Sequence, residues 1–385
     1  MESREFEKIS AIALGAAFGY EPRISKDIIG ALGSPREVFR LSEKERDELL
    51  GPFSKYRGAL SDAAFERASR ELAELERRGL RYIDEGDPHF PKLLRECEDC
   101  PPGLYVRSNS DFADIFDDAR PCISVIGTRD ISPYGREWTR RIVETLALAP
   151  EKPRIVSGLA IGVDITAHAA ALEAGIPTIG VLPTGIDSVY PHSHIPAARR
   201  IAADPGSALV TDFPPGTDPL PATFLRRNRI IAGLSRATII TESKVRGGGM
   251  MTSRLAFSYG REVFALPGRI DDVRSSGCNL LINGKIAEPI TDLSKLGEQL
   301  GLGEFNRRRK AELGQEVGEF YRDSPDRDTL VRLALAVKMH RGIDTDTLAA
   351  ETGVAYPRAA ALVSKLECDG FVCRDLIGRC SIRAR

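Results

Sequence analysis

The stretch "RIVSGLAIGVDITAHAAALEAGIPTIGVLP", Arg154–Pro183, decides the fold. It opens on one short apolar run, "RIVSG", and closes on another, "TIGVLP". Between them "DITAHAAALEAG" places small apolar residues at helical spacing and stops at Gly175. Neither flanking run alternates apolar with polar, so each reads as a strand covered on both faces. That is the habit of parallel sheets, and parallel neighbours need a crossover such as the intervening helix. Ser157, Gly158 and Gly162 fill the turn from strand to helix.

The same alternation runs outward from about residue 104 to 290. "CISVIG", "ALVTDF", "ATIITES" and "REVFALPG" are further strands. "YGREWTRRIVETLALA", "HIPAARRIAA", "ATFLRRNRIIAGLS" and "MTSRLAFSYG" are further helices. The expected core is a doubly wound, Rossmann-like α/β sheet. Residues 1–85 read as a helical module. Ser42 with Glu45 three residues on makes a capping box, Gly51 stops that helix, and "SDAAFERASRELAELERRGL" is amphipathic up to Gly79. This module packs or binds a partner; "IIGALGS" is a poor match to a helix-hairpin-helix. The sheet domain is taken as 86–300. Residues 301–325 are polar and charged, and read as a linker, partly helical. Residues 326–385 contain two short helices, the first ending at Gly353 and the second running from near Pro357 to Gly370. Two strands around Gly378 follow, the grammar of a winged helix. Ten Lys/Arg against eight Asp/Glu in this tail favour a protein-contact module over a duplex reader.

Composition excludes several classes. The chain has 385 residues with 54 Lys+Arg against 55 Asp+Glu, so any anion site must be a local patch. There is no run of 18 apolar residues, and "MESREFEKIS" lacks the basic and apolar regions of a signal peptide, so a cytoplasmic location is expected. Seven cysteines suit a reducing compartment. Cys97 and Cys100 form a C-x-x-C without a second ligand pair, and His192 and His194 lack a carboxylate cluster, so no metal is expected. His168 reads as a packed histidine. Neither the P-loop nor G-x-G-x-x-G after a strand occurs, so no nucleotide cofactor is expected.

Four strand-to-helix loops are rich in glycine or arginine. They are "VIGTRDISPYGRE", "VSGLAIGVDITAH", the segment "FLRRNRIIAGLS" after "DFPPGTDPLPAT", and "ESKVRGGGMMTSR". Glycines ahead of a helix let backbone amides approach a phosphate, and arginine adds permanent bidentate contacts. Arg226, Arg227 and Arg229 crowd a first helical turn, where cations repel unless an anion lies among them. Ile230, Ile231 and Leu234 should face the sheet, with Arg227 overhanging the crevice, Arg226 and Arg229 flanking it, and Asn228 pointing away or capping locally. Pairing of the arginines with Asp212 or Asp218 is the competing reading. Tyr134 and Phe224 lie beside the loops as stacking surfaces or as core.

"VIGTR", "SGLAIGVDITAHAAALEAGIPTIGVLPTGIDSVYPHSH", "DFPPGTDPLPATFLRRNRIIAGLS", "GGGMMTSRLAFSYGREVFALPG" and "SSGCNLLINGKI" occur in that order. Together they resemble the DNA-processing protein A family (DprA, also called Smf) over about 104–290. The resemblance implies an extended Rossmann-like domain between an N-terminal helical, SAM-like domain and a winged-helix tail. It implies binding of single-stranded DNA, loading of RecA recombinase onto it during natural transformation, and homodimers. Family contacts fall on Gly127, Thr128 and Arg129, and around Arg227, Asn228 and Arg229. The full expected site adds Ser157, Gly158, Arg226, Gly248, Gly249 and Thr252. The chain departs from the family in "GGGMMTSR", where a serine-glycine form is commoner, and in Lys285, where alanine is usual. The alternative is a nucleotide phosphoribohydrolase of related fold. That chemistry needs a glutamate after the glycine loop, where this chain has Arg254-Leu255-Ala256, so no catalytic residue is expected.

Overall fold

The computed structural model describes residues 3–302, 305–340, 342–375 and 378–382. Its contacts divide the chain into two units, Met1–Gly303 and Glu304–Arg385.

The first unit is built on nine strands: β1 (Arg81–Asp84), β2 (Gly103–Arg107), β3 (Cys122–Ile126), β4 (Arg154–Ser157), β5 (Thr178–Val181), β6 (Ala208–Thr211), β7 (Ala237–Ile240), β8 (Glu262–Ala265) and β9 (Glu288–Pro289). Their order in the sheet is β1-β2-β6-β5-β4-β3-β7-β8-β9. From β6 to β9 all pairings are parallel; β1 and β2 add an antiparallel edge. All six strands expected from the apolar runs are present. β4 to β7 are buried along their whole length, as a sheet with both faces covered requires. After β3 the chain moves outward through β4, β5 and β6, then returns to the other side of β3 as β7. The carboxyl ends of β3 and β7 therefore flank the topological switch point, where open α/β sheets hold ligands.

The N-terminal helices are Ser3–Phe18, Pro22–Leu32, Pro35–Arg40, Glu43–Leu50 and Asp62–Arg77. Ser42 and Glu45 close the expected capping box. The segment read as helical to residue 85 instead ends in β1. Tyr82 of β1, Tyr105 of β2 and Leu209 of β6 share a core with Ile9, Leu14, Phe18 and Leu72, so module and sheet are one folded unit. This edge escapes a sequence reading because its two strands pair across a proline-bearing loop rather than through a helix crossover.

In the second unit, Phe305–Phe320 is a helix within the segment read as a partly helical linker. Leu313, Val317 and Tyr321, four residues apart, are buried against Leu330, Leu333 and Val337. The charges that suggested a linker leave this apolar stripe intact. Helices Arg327–Met339, Thr345–Thr352 and Tyr356–Cys368 follow, then the antiparallel pair β10 (Val372–Arg374) and β11 (Cys380–Ile382).

One carboxylate pins the helix Pro221–Leu234 to the end of β6. Asp212, just beyond β6, accepts from Arg226 Nη2 at 2.7 Å and from Arg229 Nη2. The Arg226 guanidinium lies 4.6 Å from the Phe213 ring and 5.2 Å from that of Tyr20, while Arg229 also donates to the Asp99 carbonyl. Burial pushes the Asp212 carboxyl up, but Arg229 and Arg226 together hold it below its ordinary value. Removing one partner of a buried charge cluster costs about 3–5 kcal/mol, so Asp212→Asn should lower stability by that order in urea unfolding at pH 7. A carboxyl depressed in the folded state stabilises above its unfolded value of about 3.9 and loses this as pH falls through the folded value. The gap between wild type and Asp212→Asn should therefore narrow only below about pH 4. A gap that is absent at pH 7, or that narrows between pH 8 and 6, would show that Asp212 is not the strut.

Candidate nucleic-acid interface

The loop after β3 is held rigidly. A Cβ on Gly127 would lie 2.5 Å from Val163 Cγ2 and 2.8 Å from the Glu242 carbonyl oxygen, so only glycine fits. The Thr128 amide donates to that carbonyl at 2.7 Å, and the Thr128 hydroxyl accepts from the Asp130 amide at 3.1 Å. Beyond them Arg129 emerges with its guanidinium 4.7 Å from the Phe224 ring. Glu242, fully buried after β7, accepts from the amide and the hydroxyl of Ser132, the cap of helix Pro133–Leu146. This clamp between the β3 and β7 loops was not foreseen; its signal was a lone acid closing the apolar strand "ATIITES".

After β4, Ser157 turns into the sheet, donating to the Val125 carbonyl at 2.7 Å, and does not line the crevice. Gly158 acts by what it lacks: a Cβ there would fall 1.4 Å from Arg227 Nη1. The Asp164 carboxylate accepts from the amides of Gly158 at 3.1 Å and Ala160 at 3.4 Å, and lies 3.9 Å from Arg227 Nη1. Burial raises the Asp164 carboxyl, and Arg227 opposes the rise. Burial also brings Arg227 down to about 10, with Asp164 opposing and Arg129 adding to the fall, so it stays charged at neutral pH. Arg227 is 4% exposed and its Nε has no partner.

The three arginines part company by helix geometry. At about 100° per residue, Arg226 and Arg229 lie on a different face from Arg227. Phe224, Arg227, Asn228 and Ile231, at i, i+3, i+4 and i+7, face the crevice. Arg226 and Arg229 turn instead to buried Asp212, so the pairing reading holds for these two and their expected place in the crevice is corrected. Asn228 is also corrected: it lines the crevice rather than pointing away.

After β7, Lys244 and Arg246 lead to helix Gly248–Ser258. Gly249 sits tightly over the sheet, its absent Cβ 3.1 Å from Ile240 Cδ1 and 3.4 Å from the Gly127 Cα, whereas a Cβ on Gly248 would meet nothing. The first amides of this helix stand at its positive end; that of Met250 donates to the Gly247 carbonyl at 3.1 Å. Thr252 is buried on the same wall, its hydroxyl donating to the Gly248 carbonyl at 3.3 Å.

Together these elements enclose a crevice of about 350 Å³ at the switch point. Gly127, Thr128, Arg129, Arg227, Gly248, Gly249 and Thr252 line it, as expected, and so does Asn228, as the family resemblance implied and the helix geometry did not; Asp130, Lys244, Arg246 and Asp164 do too, unforeseen. Ser157, Gly158, Arg226 and Arg229 stand behind the wall. His168 is packed: it is fully buried, its Nδ1 lies 2.7 Å from Thr178 Oγ1, and burial lowers it to about 3. Cys97 and Cys100 are buried free thiols, and the described residues contain no cluster fit to hold a metal. No described helix is long and apolar enough to cross a membrane.

Comparison with known proteins adds the lineage. The chain is 36% identical over 231 residues to the protein Smf of Synechocystis, a match covering 60% of this chain but only 56% of that one. The crystal structure of DNA processing protein A from Streptococcus pneumoniae superposes with a TM-score of 0.62 at 28% identity, covering 77% of this chain and 99% of that one. The Helicobacter pylori DNA processing protein A, whose structure describes a single-stranded DNA binding mode, gives 0.51 at 29% identity, covering 57% of this chain and 95% of that one. The family model described as DNA recombination-mediator protein A matches residues 81–301, more than half of the chain and all four crevice loops. With the switch-point crevice and its loops in the family's order, the chain belongs to the DNA recombination-mediator protein A (DprA/Smf) family.

Proposed function

We propose that the crevice binds the backbone of single-stranded DNA, and that the protein delivers this strand to RecA recombinase. The observation that carries the reading is Arg227: a buried guanidinium with one ion pair at 3.9 Å and an unpartnered Nε, opening on a crevice. A phosphate completes it. Arg129, Arg246 and the first amides of the glycine helix would hold the same anion or its neighbours, beside Lys244, which pairs with Asp130 at 3.6 Å. A duplex keeps its phosphates on a stiff surface and cannot push one down to a 4% exposed side chain; a flexible single strand can. Phosphate-directed contacts carry no sequence information, so binding is sequence-tolerant. Membership of a recombination-mediator family and the single-stranded DNA binding mode described for the H. pylori relative support the same reading. RecA as partner, a homodimer and a cytoplasmic location go with it.

Among the described residues the crevice carboxylates are already engaged, which weighs against the hydrolase alternative: Asp164 is spent on two amides and Arg227, Glu242 on Ser132, and Asp130 on Lys244 at 3.6 Å and Arg274 at 3.3 Å. Arg254 occupies the helix where the glutamate would be needed. Binding should therefore survive EDTA and need no ATP, and nucleoside monophosphates should release no base.

Arg227→Ala should weaken single-strand binding about ten- to a hundredfold, the loss of a charged hydrogen bond, for all sequences alike. The salt dependence should flatten by about 0.7 log units. Gly158→Ala, which drives a methyl into the Arg227 guanidinium, should reproduce that loss in a gel shift. Arg226→Ala should instead lower the melting temperature and leave the salt slope alone. Unchanged affinity in both Arg227→Ala and Gly158→Ala variants that fold normally would reject the crevice as the site. Removing residues 304–385, a cut that keeps helix Phe305–Phe320 with its own core, should cost less than tenfold in affinity, about 1.4 kcal/mol. A larger loss would make the second unit part of the binding surface.

A further inference from the structure

Beside the crevice lies a more open groove of about 690 Å³. The two share a wall of Leu225, Arg246, Gly247 and Gly248. The groove's floor is one face of helix Gly248–Ser258, where Met251, Arg254, Leu255 and Ser258 recur at i, i+3, i+4 and i+7. Leu225, Val245 and Met251 are 49%, 47% and 38% exposed, an apolar strip rather than scattered single residues. Two exposed arginines line it, Arg246 at the junction with the crevice and Arg254 on the helical floor, one turn before Ser258. Neither forms an ion pair among the described residues, whereas Arg226, Arg227 and Arg229 all do.

A polymer that alternates flat apolar bases with anionic phosphates matches an apolar strip that carries two unspent cations. We propose that the strand leaves the crevice past Arg246 and continues along this groove, its bases on Leu225 and Met251 and a further phosphate on Arg254. This inference rests on the single-strand reading of the crevice. Helix rise carries Arg254 about 9 Å along the axis from Gly248, so it meets a phosphate outside the crevice. Arg254 thus responds to the length of the strand and not to its sequence.

The test is fluorescence anisotropy of the full chain with a ladder of oligothymidylates, using wild type, Arg254→Ala, Arg254→Lys and Arg227→Ala. The shortest oligomers that bind should not distinguish Arg254→Ala from wild type. Longer ones should bind it about five- to tenfold more weakly, with the salt slope reduced by about 0.7. Arg254→Lys should restore the slope, and Arg227→Ala should be weak at every length. Wild-type binding by Arg254→Ala at all lengths, with Arg227→Ala still impaired, overturns the groove and leaves the crevice standing. Wild-type binding by both variants removes the crevice reading itself. Equal weakening of Arg254→Ala at every length would make Arg254 part of the crevice, and the extension fails. Intact DNA binding with a changed sedimentation coefficient in Met251→Ser would make the groove a contact between protein chains, which also overturns the proposal.

Discussion

A guanidinium lodged in the space left by a missing Cβ sets the terms for the rest of the site. Arg227 can stand where it does only because residue 158 is glycine; any other side chain would begin 1.4 Å from its Nη1. Burying a cation with a single ion pair at 3.9 Å is unfavourable. The fold tolerates it because Asp164 is anchored by two backbone amides and because the charge faces a crevice rather than solid core. The arrangement is electrostatically incomplete without an anion. Unfinished charges of this kind gather at functional sites.

The helix that carries Arg227 serves two purposes on two faces. Its Phe224, Arg227, Asn228 and Ile231 face belongs to the crevice. Its Arg226 and Arg229 face belongs to Asp212 and the N-terminal module. Gly233 continues the second face, its absent Cβ 2.7 Å from Leu94 Cδ1. Tying the helix from behind fixes the direction in which Arg227 enters the crevice. The Glu242 clamp does the same for the β3 and β7 loops. The wall is therefore preformed, and on the proposed reading the ordering cost of binding falls on the strand rather than on the protein.

The sheet was readable because apolar runs and helix punctuation repeat along the chain, and all six of those strands appear. β1 and β2 were not readable, since an antiparallel edge depends on pairing with β6 across about a hundred residues and carries no local rhythm. Phe305–Phe320 was read as a linker helical only in part because of its charges, although Leu313, Val317 and Tyr321 held a helical stripe. For the site, glycine and arginine loops gave the crevice and eight of its lining residues. The division of the arginines was not legible, because Asp212 competes with any ligand for them and its position depends on how β6 meets the helix. Ser157 looked like a ligand group for a similar reason. Its hydroxyl has a nearer acceptor in the Val125 carbonyl of the neighbouring strand, which only the sheet order reveals.

The near-neutral charge of the chain then ceases to conflict with a polyanionic ligand. What matters is not how many cations there are but which of them the fold has already used. Asp212 consumes Arg226 and Arg229, Glu173 takes Arg140, and Glu96 takes Arg261. Around the switch point the balance differs. Asp130 takes Lys244 and Arg274 there, but Arg129 rests on an aromatic ring rather than an acid, Arg246 and Arg254 have no ion pair among the described residues, and Arg227 has only a distant one. The helix Gly248–Ser258 adds the positive end of its dipole at the same place. Local spending of acids, rather than a surplus of bases, creates the positive field, and such a field persists in a protein whose total charge is −1.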